Sequence, residues 1–286
     1  MTELDLYLLR YGEIGTKSPN IRKHFEDILI QNLERTFLAE GEEIVTEKRG
    51  RGRIFAYLKE ENSHLLSRIF GLVSYSRAKR ISADLTEMIS EAEDFASDIS
   101  GSFAVRARRV GEHDYNSQKV EDELGDAMLE SNPDLEVDLE DPEHELHMEI
   151  RHSQVYVFTT IEEGPGGLPL SSQGKVAAYV ETKKDFIATW MMMKRGARPY
   201  VYHPPSEWAD RLKSWDPNPK RMEVSDREEM LSLDLPNEVR AVVLGETLED
   251  LTEIETQHMV LRPLIGFTDE RIDSQLEKIT RLEKGR

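Results

Sequence analysis

The sequence lacks cysteine entirely: none of its 286 residues carries a thiol. A disulfide, a thiolate metal site and a persulfide carried by this chain are excluded, because each of them needs a cysteine sulfur. Long hydrophobic runs are missing too, since no apolar stretch approaches the roughly 18 residues of a membrane-spanning helix. Residues 1–5 have neither the basic nor the apolar part of a secretion signal. We therefore expect a cytoplasmic protein with no membrane partner.

The sequence also has fewer basic than acidic residues. The chain has 37 Lys and Arg against 56 Asp and Glu, a net charge of −19. The imbalance is local, because residues 81–170 contain 23 acidic and 5 basic residues, whereas residues 1–80 contain 12 and 14. The overall charge therefore does not exclude a nucleic-acid partner. The acidic segment fits either a solvated surface or a surface that holds a basic protein.

The first eighty residues show the β-α-β-β-α-β order of a ferredoxin-like domain. The predicted elements are strands at residues 4–9, 43–46, 53–58 and 73–80, a helix capped by Ser18, and a helix at residues 63–70. The first helix has apolar residues at helical spacing, which should face the core: Ile21, Phe25, Ile28, Leu29, Leu33 and Phe37.

Two groups of basic residues stand out in this acid-rich chain. The first lies on a glycine-containing hairpin, and the second ends the last strand of the domain. Exposed Lys and Arg on a turn suit phosphate contact, because they supply many donors with little steric bulk. An ordinary charged hairpin is the alternative interpretation. The candidate RNA-binding residues are Lys48, Arg49, Arg51, Arg53, Arg77, Lys79 and Arg80.

Residues 81–170 predict a second α+β domain. Its predicted elements are helices at residues 83–99 and 117–129, the latter capped by Ser117, and strands at residues 103–109, 137–139, 145–150 and 154–161. The first strand alternates so that Arg106 and Arg108 share one face. His113 and its acidic neighbours do not have the spacing of a common metal site, so no metal is expected. No nucleophile or catalytic triad is evident either, and no catalytic residue is predicted.

The carboxy-terminal part alternates between strands and helices, which predicts a parallel, Rossmann-like α/β sheet. The predicted elements are strands at residues 174–180, 198–202 and 239–244 and helices at residues 186–194 and 268–282. The stretch at residues 206–238 is rich in proline and charge, so little length is left there for helices.

An ordered set of motifs along nearly the whole chain resembles the ThiI-type tRNA 4-thiouridine synthetases. The motifs are Arg10-Tyr-Gly-Glu-Ile14, Phe103-Ala-Val-Arg-Ala-Arg-Arg109, Val137-Asp-Leu139, Gly164-Pro-Gly-Gly-Leu-Pro169, Met191-Met-Met-Lys-Arg-Gly196, His203-Pro-Pro205, Gly245-Glu-Thr-Leu248 and Leu261-Arg-Pro-Leu-Ile-Gly266. The resemblance implies a ferredoxin-like domain at residues 1–80, a THUMP domain at residues 81–170 and a reduced PP-loop-type domain at residues 171–286.

The resemblance also implies RNA binding. Members of this family hold the acceptor end of tRNA with their first two domains, and a homodimer that shares the tRNA between subunits is expected. Carried over to this sequence, the contacts to phosphate or to the acceptor end fall on Arg106, Arg108, Arg109 and Lys119. A basic strand face and a helix N-terminus are suitable anion sites on physical grounds as well.

The phosphate turn departs from the family pattern. PP-loop enzymes carry Ser-Gly-Gly-x-Asp-Ser after the first strand of this domain, whereas this chain has Glu181-Thr-Lys-Lys-Asp-Phe186. Without glycine the backbone cannot close around a pyrophosphate in the same way, and Glu181 opposes an anion. The residual nucleotide-site candidates are Lys183, Lys184, Asp185 and Glu246. Glu246 is interpreted either as part of a residual pocket or as a carboxylate at a helix start.

Three functional interpretations follow. The leading one is a ThiI-like protein that binds tRNA, has lost adenylation and sulfur transfer, needs no cofactor, and assists a separate tRNA-modifying enzyme. The second is an active 4-thiouridine sulfurtransferase that uses ATP and magnesium and receives sulfur from a partner. The third is a protein-interaction module that no longer binds RNA.

Overall fold

The computed structural model describes residues 4–48 and 52–285, with only the backbone of Lys48. The chain divides into two compact units. One unit is Met1–Leu4, Leu9–Tyr75 and Glu162–Arg286, and the other is Asp5–Leu8 and Ser76–Ile161. The ferredoxin-like layer therefore shares a unit with the carboxy-terminal α/β layer. Within the described ranges, every helix is too short or too polar to cross a bilayer.

Three sheets account for the strands of the described chain. The strands are β1 (Asp5–Tyr11), β2 (Val45–Lys48), β3 (Arg53–Leu58), β4 (Leu72–Arg77), β5 (Lys79–Ser82), β6 (Ser102–Val110), β7 (Glu136–Val137), β8 (His144–Arg151), β9 (Gln154–Phe158), β10 (Glu162–Glu163), β11 (Lys175–Tyr179), β12 (Arg198–His203), β13 (Lys220–Glu223), β14 (Val239–Val243) and β15 (Met259–Leu261). The α-helices are α1 (Pro19–Ala39), α2 (Leu85–Asp98), α3 (Ser117–Ser131), α4 (Lys183–Lys194), α5 (Glu207–Arg211), α6 (Arg227–Ser232) and α7 (Asp269–Glu283).

The ferredoxin-like layer is a five-stranded sheet of order β10-β4-β1-β3-β2 with α1. Helix α1 begins after Ser18, as predicted, with Pro19 at its first position. Four of its predicted core residues are buried: Phe25, Leu29, Leu33 and Phe37. Ile28 is half-buried. Ile21 is 49% exposed, so its predicted burial is wrong: it lies in the first turn, ahead of the buried stripe.

The predicted helix at residues 63–70 is wrong in type, because the segment is a 3-10 helix at Glu60–Arg68. Contacts with the end of α7, rather than the spacing of apolar residues along the segment, determine this conformation. The Ser67 hydroxyl lies 2.5 Å from the carbonyl oxygen of Leu282, and the Arg68 guanidinium donates to the carbonyl of Glu283 at 2.9 Å. Carbonyls in the last turn of a helix lack helical partners, so these contacts satisfy the end of α7.

Phe70 joins the ferredoxin-like layer to the core of the α/β layer. Its ring centroid lies 5.4 Å from that of Trp190 and 5.1 Å from that of Trp215. Trp190 and Trp215 are 1% and 3% exposed. Buried aromatic pairs at such distances add stabilisation beyond the area that they bury.

The second unit contains a five-stranded sheet of order β5-β9-β8-β6-β7. Helices α2 and α3 cover one face of it, with Met88, Leu124, Phe103 and Ile150 in the shared core. The predicted cap of α3 is wrong by one residue. Asn116, rather than Ser117, accepts the backbone hydrogen bond of Lys119 and begins the helix.

Two predicted strands are each divided between sheets. The strand predicted at residues 73–80 ends at Arg77, and the next strand, β5, pairs with β9. The strand predicted at residues 154–161 ends at Phe158, and β10 pairs with β4. The local pattern is continuous in both places, so only the pairing partner reveals the division.

The carboxy-terminal sheet has the order β13-β12-β11-β14-β15, and all its neighbouring strands are parallel. Helices α4 and α7 cover one face, in a core that contains Phe186, Trp190, Val201 and Ile272. The α+β and α/β fold class is thereby confirmed. Sequence analysis missed β13 and β15, which are short edge strands. It also placed the start of α4 at residue 186, whereas the helix begins at Lys183.

Candidate functional site

The turn between β11 and α4 lies at the carboxyl ends of parallel strands, where α/β folds bind ligands. Residues 180–182 connect the two elements. The turn borders a cavity of about 540 Å³, whose opposite wall includes Leu244, Gly245 and Glu246. The predicted phosphate turn therefore lies beside a cavity at the ligand-binding edge of the sheet.

Asp185 accepts several hydrogen bonds from the backbone around this turn. Its carboxylate accepts from the backbone amides of Thr182 at 3.0 Å, Gly245 at 3.2 Å and Glu181 at 3.3 Å. The Thr182 hydroxyl caps the Asp185 amide in return, which forms a capping box. Burial raises the pKa of Asp185, and the hydrogen bonds from Thr182, Glu181 and Gly245 oppose that shift. A carboxylate of the chain itself thus sits at the helix N-terminus, a position that otherwise attracts phosphate.

Gly245 lets the loop after β14 close onto this turn. A Cβ atom at position 245 would lie 2.4 Å from the backbone nitrogen of Asp185 and 2.5 Å from the carbonyl carbon of Lys184. Side chains do not approach backbone atoms so closely, so any other residue would push the two segments apart. Gly245 therefore keeps the N-terminus of α4 covered by main chain.

Both lysines of the turn are already paired with carboxylates. The Lys183 ammonium lies 2.5 Å from Asp273, and the Lys184 ammonium lies 3.0 Å from Asp250. Burial would raise the pKa of Asp250, but hydrogen bonds from Thr247 and Lys184 outweigh it and lower the pKa to about 2. Asp250 is therefore ionised at neutral pH and neutralises Lys184.

Glu246 is buried and held by two arginines. Its carboxylate accepts from Arg227 at 2.8 Å, from Arg262 at 2.6 Å and from the Thr252 hydroxyl. Burial opposes ionisation, yet the hydrogen bonds from Thr252 and Arg262 hold the pKa of Glu246 below its ordinary value. The interpretation of Glu246 as a helix-start carboxylate is wrong, because residues 244–258 form no helix. This carboxylate anchors the loop over the cavity.

The cavity lining is more negative than positive. Its acidic and basic lining residues are six carboxylates, Glu181, Asp185, Asp226, Glu228, Glu246 and Asp250, and three bases, Lys183, Lys184 and Arg227. A polyphosphate needs unpaired Lys, Arg or backbone N–H groups, and the bases here have carboxylate partners. Among the described residues, no three His, Asp or Glu side chains converge as a metal site requires. Each base of the cavity lining thus has a carboxylate partner among the described residues.

The amino-terminal RNA-binding candidates are described only in part. Arg49, Arg51 and the side chain of Lys48 lie outside the described residues. The guanidinium of Arg53 donates to the carbonyl of Gly52 at 2.8 Å. Two other candidates are exposed but paired with acids: Arg77 lies 2.7 Å from Asp5, and Lys79 lies 2.5 Å from Glu91.

Register places two candidates in one row of the second unit's sheet. Arg80 on β5 pairs with Tyr156 on β9, Tyr156 with Glu149 on β8, and Glu149 with Arg108 on β6. Residues paired across strands share a face, so Arg80 and Arg108 lie on the same face, roughly 14 Å apart at three strand spacings. Both are exposed, and neither makes a hydrogen bond or an ion pair within the part of the chain that the structure describes.

The remaining candidates in that unit have partners. The Arg106 guanidinium donates to Glu145 at 2.8 Å and to the carbonyl of Leu139. Arg109 donates to the carbonyl of His113 at 3.4 Å, and Lys119 lies 3.4 Å from Glu123. Alternation along β6 suggested Arg106 and Arg108 together, yet only Arg106 has a partner among the described residues. Arg80 and Arg108 are therefore the free cations of the candidate set among the described residues.

Two family models match the chain in order. The ThiI ferredoxin-like domain matches residues 6–76, and the THUMP domain matches residues 81–160. The predicted boundaries at residues 80 and 170 stay predictions.

Relatives named as tRNA sulfurtransferases match over most of the chain. The protein of Pyrobaculum aerophilum is 31% identical, with 96% of this chain and 67% of that protein covered. A probable tRNA sulfurtransferase of Saccharolobus islandicus is 30% identical, with coverages of 94% and 84%. One of Methanothermobacter thermautotrophicus is 34% identical over 70% of this chain, which spans only about half, 53%, of that relative.

Two solved structures share the fold. A crystal structure from Pyrococcus horikoshii Ot3 has a TM-score of 0.82 and 27% identity, covering 96% of this chain and 99% of its own. A 4-thiouridine synthetase, crystallised in complex with RNA and bound ATP, has a TM-score of 0.72 and 24% identity, covering 98% and 86%. At that identity the second likeness supports the fold alone.

Proposed function

The chain belongs to the tRNA sulfurtransferase family, and from that membership we propose that it binds the acceptor end of tRNA without itself performing adenylation or sulfur transfer. In this proposal it acts in the cytoplasm as an accessory factor in tRNA modification. It presents the tRNA to a separate modifying enzyme. Residues 1–80 and 81–170 supply the RNA-binding domains, and residues 171–286 supply a PP-loop-type scaffold.

The observation that carries the proposal is the carboxylate of Asp185 in the first turn of α4, which accepts hydrogen bonds from three backbone amides around the turn. A phosphate at a helix N-terminus is held by free backbone N–H groups and by cations. Here the amides of Glu181, Thr182 and Gly245 donate to Asp185. Lys183 and Lys184 face their own carboxylates. A nucleotide would have to compete with these contacts and enter a cavity whose charged lining residues are six acids and three bases.

The amino-acid composition supports the proposal that this chain does not itself transfer sulfur. Sulfur transfer through a protein persulfide needs a cysteine thiolate, and none of the 286 residues is cysteine. Any sulfur delivered to a bound tRNA would therefore come from another molecule.

Support for RNA binding comes from the family and from the two unpaired arginines. The relatives are named for tRNA, and the synthetase of similar fold was crystallised with RNA. Arg80 and Arg108 are exposed on one sheet face without partners in the described chain. Such arginines contact phosphate without first giving up an ion pair.

ATP–pyrophosphate exchange in the presence of tRNA tests the catalytic half of the proposal. We expect no exchange above background, and the relative from Pyrobaculum aerophilum that is named a tRNA sulfurtransferase is the comparison protein. Filter binding of tRNA to the same preparation shows that the protein is competent to bind. Exchange that depends on tRNA would contradict the proposal and favour the second candidate, an active sulfurtransferase that uses ATP, magnesium and an external sulfur donor.

The second candidate has one observation in its favour, which is that the curated relatives are named as enzymes.

The proposal also includes the binding partners of this protein, which are tRNA and a second copy of the chain. Sedimentation of the protein with and without tRNA distinguishes a homodimer from a monomer. Recovery of protein without RNA from cells would favour a protein-interaction module instead.

A further inference from the structure

One side of helix α7 carries basic residues at helical spacing. Arg271, Lys278 and Arg281 stand seven and three positions apart, a spacing that places them along one side of the helix. All three residues are exposed. Ile272 and Ile279 lie on another side and are buried in the core of the α/β layer. We call Arg271, Lys278 and Arg281 the basic ridge.

The basic ridge keeps its charges without an ionic partner. Within the described chain, the side chains of Lys278 and Arg281 make no hydrogen bond or ion pair. Glu277 stands four positions before Arg281, the spacing of a helical ion pair, yet these two described residues form none. The Arg271 guanidinium lies 4.0 Å from the ring centroid of Phe267, a contact with the ring face that leaves its N–H groups available. Three bases therefore remain unneutralised in a chain with 56 acidic and 37 basic residues.

The end of α4 adds positive charge beside the basic ridge. Lys194 is half-buried, and its ammonium lies 5.5 Å from the ring centroid of Trp190. Burial lowers the pKa of Lys194, and the positive charges of Lys278 and Arg195 lower it further, against the opposite influence of Glu13. Like charges that lower the pKa of a lysine show that the electrostatic potential around it is positive. A bound anion would relieve this repulsion.

The helix dipoles explain only part of this arrangement. A cation is favoured in the last turn of a helix, which accounts for Lys194 in α4 and Arg281 in α7. Arg271 lies in the first turn of α7, where the dipole disfavours a cation, and Lys278 lies more than one turn from the end of the helix. The charges at these two positions therefore point to a ligand from outside the chain.

The shape and composition of the basic ridge indicate the class of its ligand. Ten residues separate its two ends, which is about 15 Å along the helix axis. A nucleic-acid duplex presents phosphates in rows, one for about every 3.4 Å of its axis on each strand. A protein partner would instead need an apolar centre for the interface. The large apolar side chains of α7 are all buried or half-buried: Ile272, Leu276, Ile279 and Leu282. The basic ridge therefore fits a phosphate backbone better than a protein surface.

We propose that the basic ridge and Lys194 contact the phosphate backbone of the bound tRNA. Unpaired lysines and arginines reach phosphate without giving up an ion pair, and such contacts fix the orientation of an RNA rather than read its sequence. The inference rests on the proposed tRNA binding. It gives residues 171–286 a direct part in holding the RNA, in addition to their part as a scaffold.

Filter binding of tRNA at several salt concentrations tests this assignment. Lys278→Ala combined with Arg281→Ala should weaken tRNA binding about tenfold and lower the salt slope by about one for each lost contact. Lys278→Glu alone is a further variant, because it leaves the cation in the last turn of α7 in place. It should weaken tRNA binding about fivefold. Thermal unfolding checks that these variants fold.

Lys183→Ala combined with Lys213→Ala is the matched control. It removes the same charge from the same layer, but these lysines face Asp273 and Asp210 at 2.5 Å and 2.9 Å. The tRNA affinity of this control should stay within about threefold of wild type, because its lysines are already neutralised by carboxylates.

Equal tRNA affinity and equal salt slope in the two double variants would overturn the inference. If wild type binds tRNA and loses affinity when Arg80 and Arg108 are replaced, that result rejects the basic ridge alone and leaves the proposed function standing. A wild-type protein that does not bind tRNA rejects both. A decaglutamate peptide is the probe for an acidic protein segment. Binding of this peptide that requires Lys278 and Arg281, with unchanged tRNA affinity, would assign the basic ridge to a protein partner and overturn the inference.

Discussion

The phosphate turn of the α/β layer and the sheet face of the second unit both carry candidate anion-binding residues, and they differ in what those residues already contact. At the turn, Lys183 and Lys184 face Asp273 and Asp250, and the backbone amides face Asp185. On the sheet, Arg80 and Arg108 have no partner among the described residues. The comparison teaches that the number of basic residues does not define an anion site. What matters is whether the donors remain available to a ligand.

The largest effect is expected from a substitution that forces the phosphate turn and the loop after β14 apart. Gly245→Ala places a Cβ atom 2.4 Å from the Asp185 nitrogen, so one backbone segment must move. We expect a loss of unfolding free energy of about 3 kcal/mol, the upper part of the usual range for overpacking. Urea denaturation measures it. Gly266→Ala is the matched control, because no atom lies within 4 Å of its Cβ position and its φ is not positive. Equal stability of both variants would show that the loop does not press on the turn.

The RNA-binding side is tested with two double variants. Replacing Arg80 and Arg108 with alanine should weaken tRNA binding roughly 30-fold, because two unpaired phosphate contacts are lost at about 1 kcal/mol each. It should also lower the salt slope by about one for each contact. Filter binding at several salt concentrations measures both quantities.

The matched control for that experiment replaces Arg77 and Lys79, which are exposed but paired with Asp5 and Glu91. Its effect should be severalfold smaller, since these two side chains would have to give up ion pairs with Asp5 and Glu91 before they contact phosphate. Equal losses in the two double variants would mean that total charge, rather than availability, governs binding.

A smaller effect is expected at Asp185. Asp185→Asn removes the carboxyl group of the capping box and should cost about 1 kcal/mol of unfolding free energy. ATP affinity should remain undetectable by equilibrium dialysis, because Lys183 and Lys184 keep their carboxylates. Thr182→Ala, which removes the other half of the box, is the comparison variant for stability. Tight ATP binding by Asp185→Asn would show that the Asp185 carboxylate alone prevents ATP from binding.

Sequence patterns predicted the scaffold of this site better than its contacts. The strand at residues 174–180 and the loss of both glycines from the turn were evident from local residues. The capping box was also readable, as Thr182 and Asp185 stand three positions apart. The ion pairs could not be predicted from local sequence, because Asp250 lies 66 residues from Lys184 and Asp273 lies 90 residues from Lys183. Which carboxylate reaches which lysine depends on the packing of α4 against distant segments.

The short edge strands illustrate the same limit. Strand β13 consists of Lys220-Arg-Met-Glu223, with three charged residues and no apolar alternation. Its strand conformation comes from pairing with β12, whose Tyr200 and Tyr202 lie opposite Lys220 and Met222. A strand that depends on its neighbour has a weak local signal.

The smallest expected effect is a pH dependence at Asp250. Its pKa is lowered from 3.8 to about 2 in the folded protein, so its ionised form stabilises the fold above pH 3.8. This contribution is lost as pH falls through about 2. The stability difference between wild type and Asp250→Asn should therefore be constant near neutrality and shrink in acid, as measured by urea denaturation at several pH values. A difference that grows in acid would contradict the assigned direction.

The docking of the 3-10 helix at Glu60–Arg68 onto the end of α7 has a consequence for folding during synthesis. Ser67 and Arg68 bind carbonyls of Leu282 and Glu283, which lie 215 residues further along the chain. Phe70 packs against both Trp190 and Trp215. The amino-terminal layer therefore leaves the ribosome long before its partners exist. The amino-terminal layer cannot complete its packing until α7 has been translated. A nascent chain released before that point would expose Phe70 to chaperones and proteases.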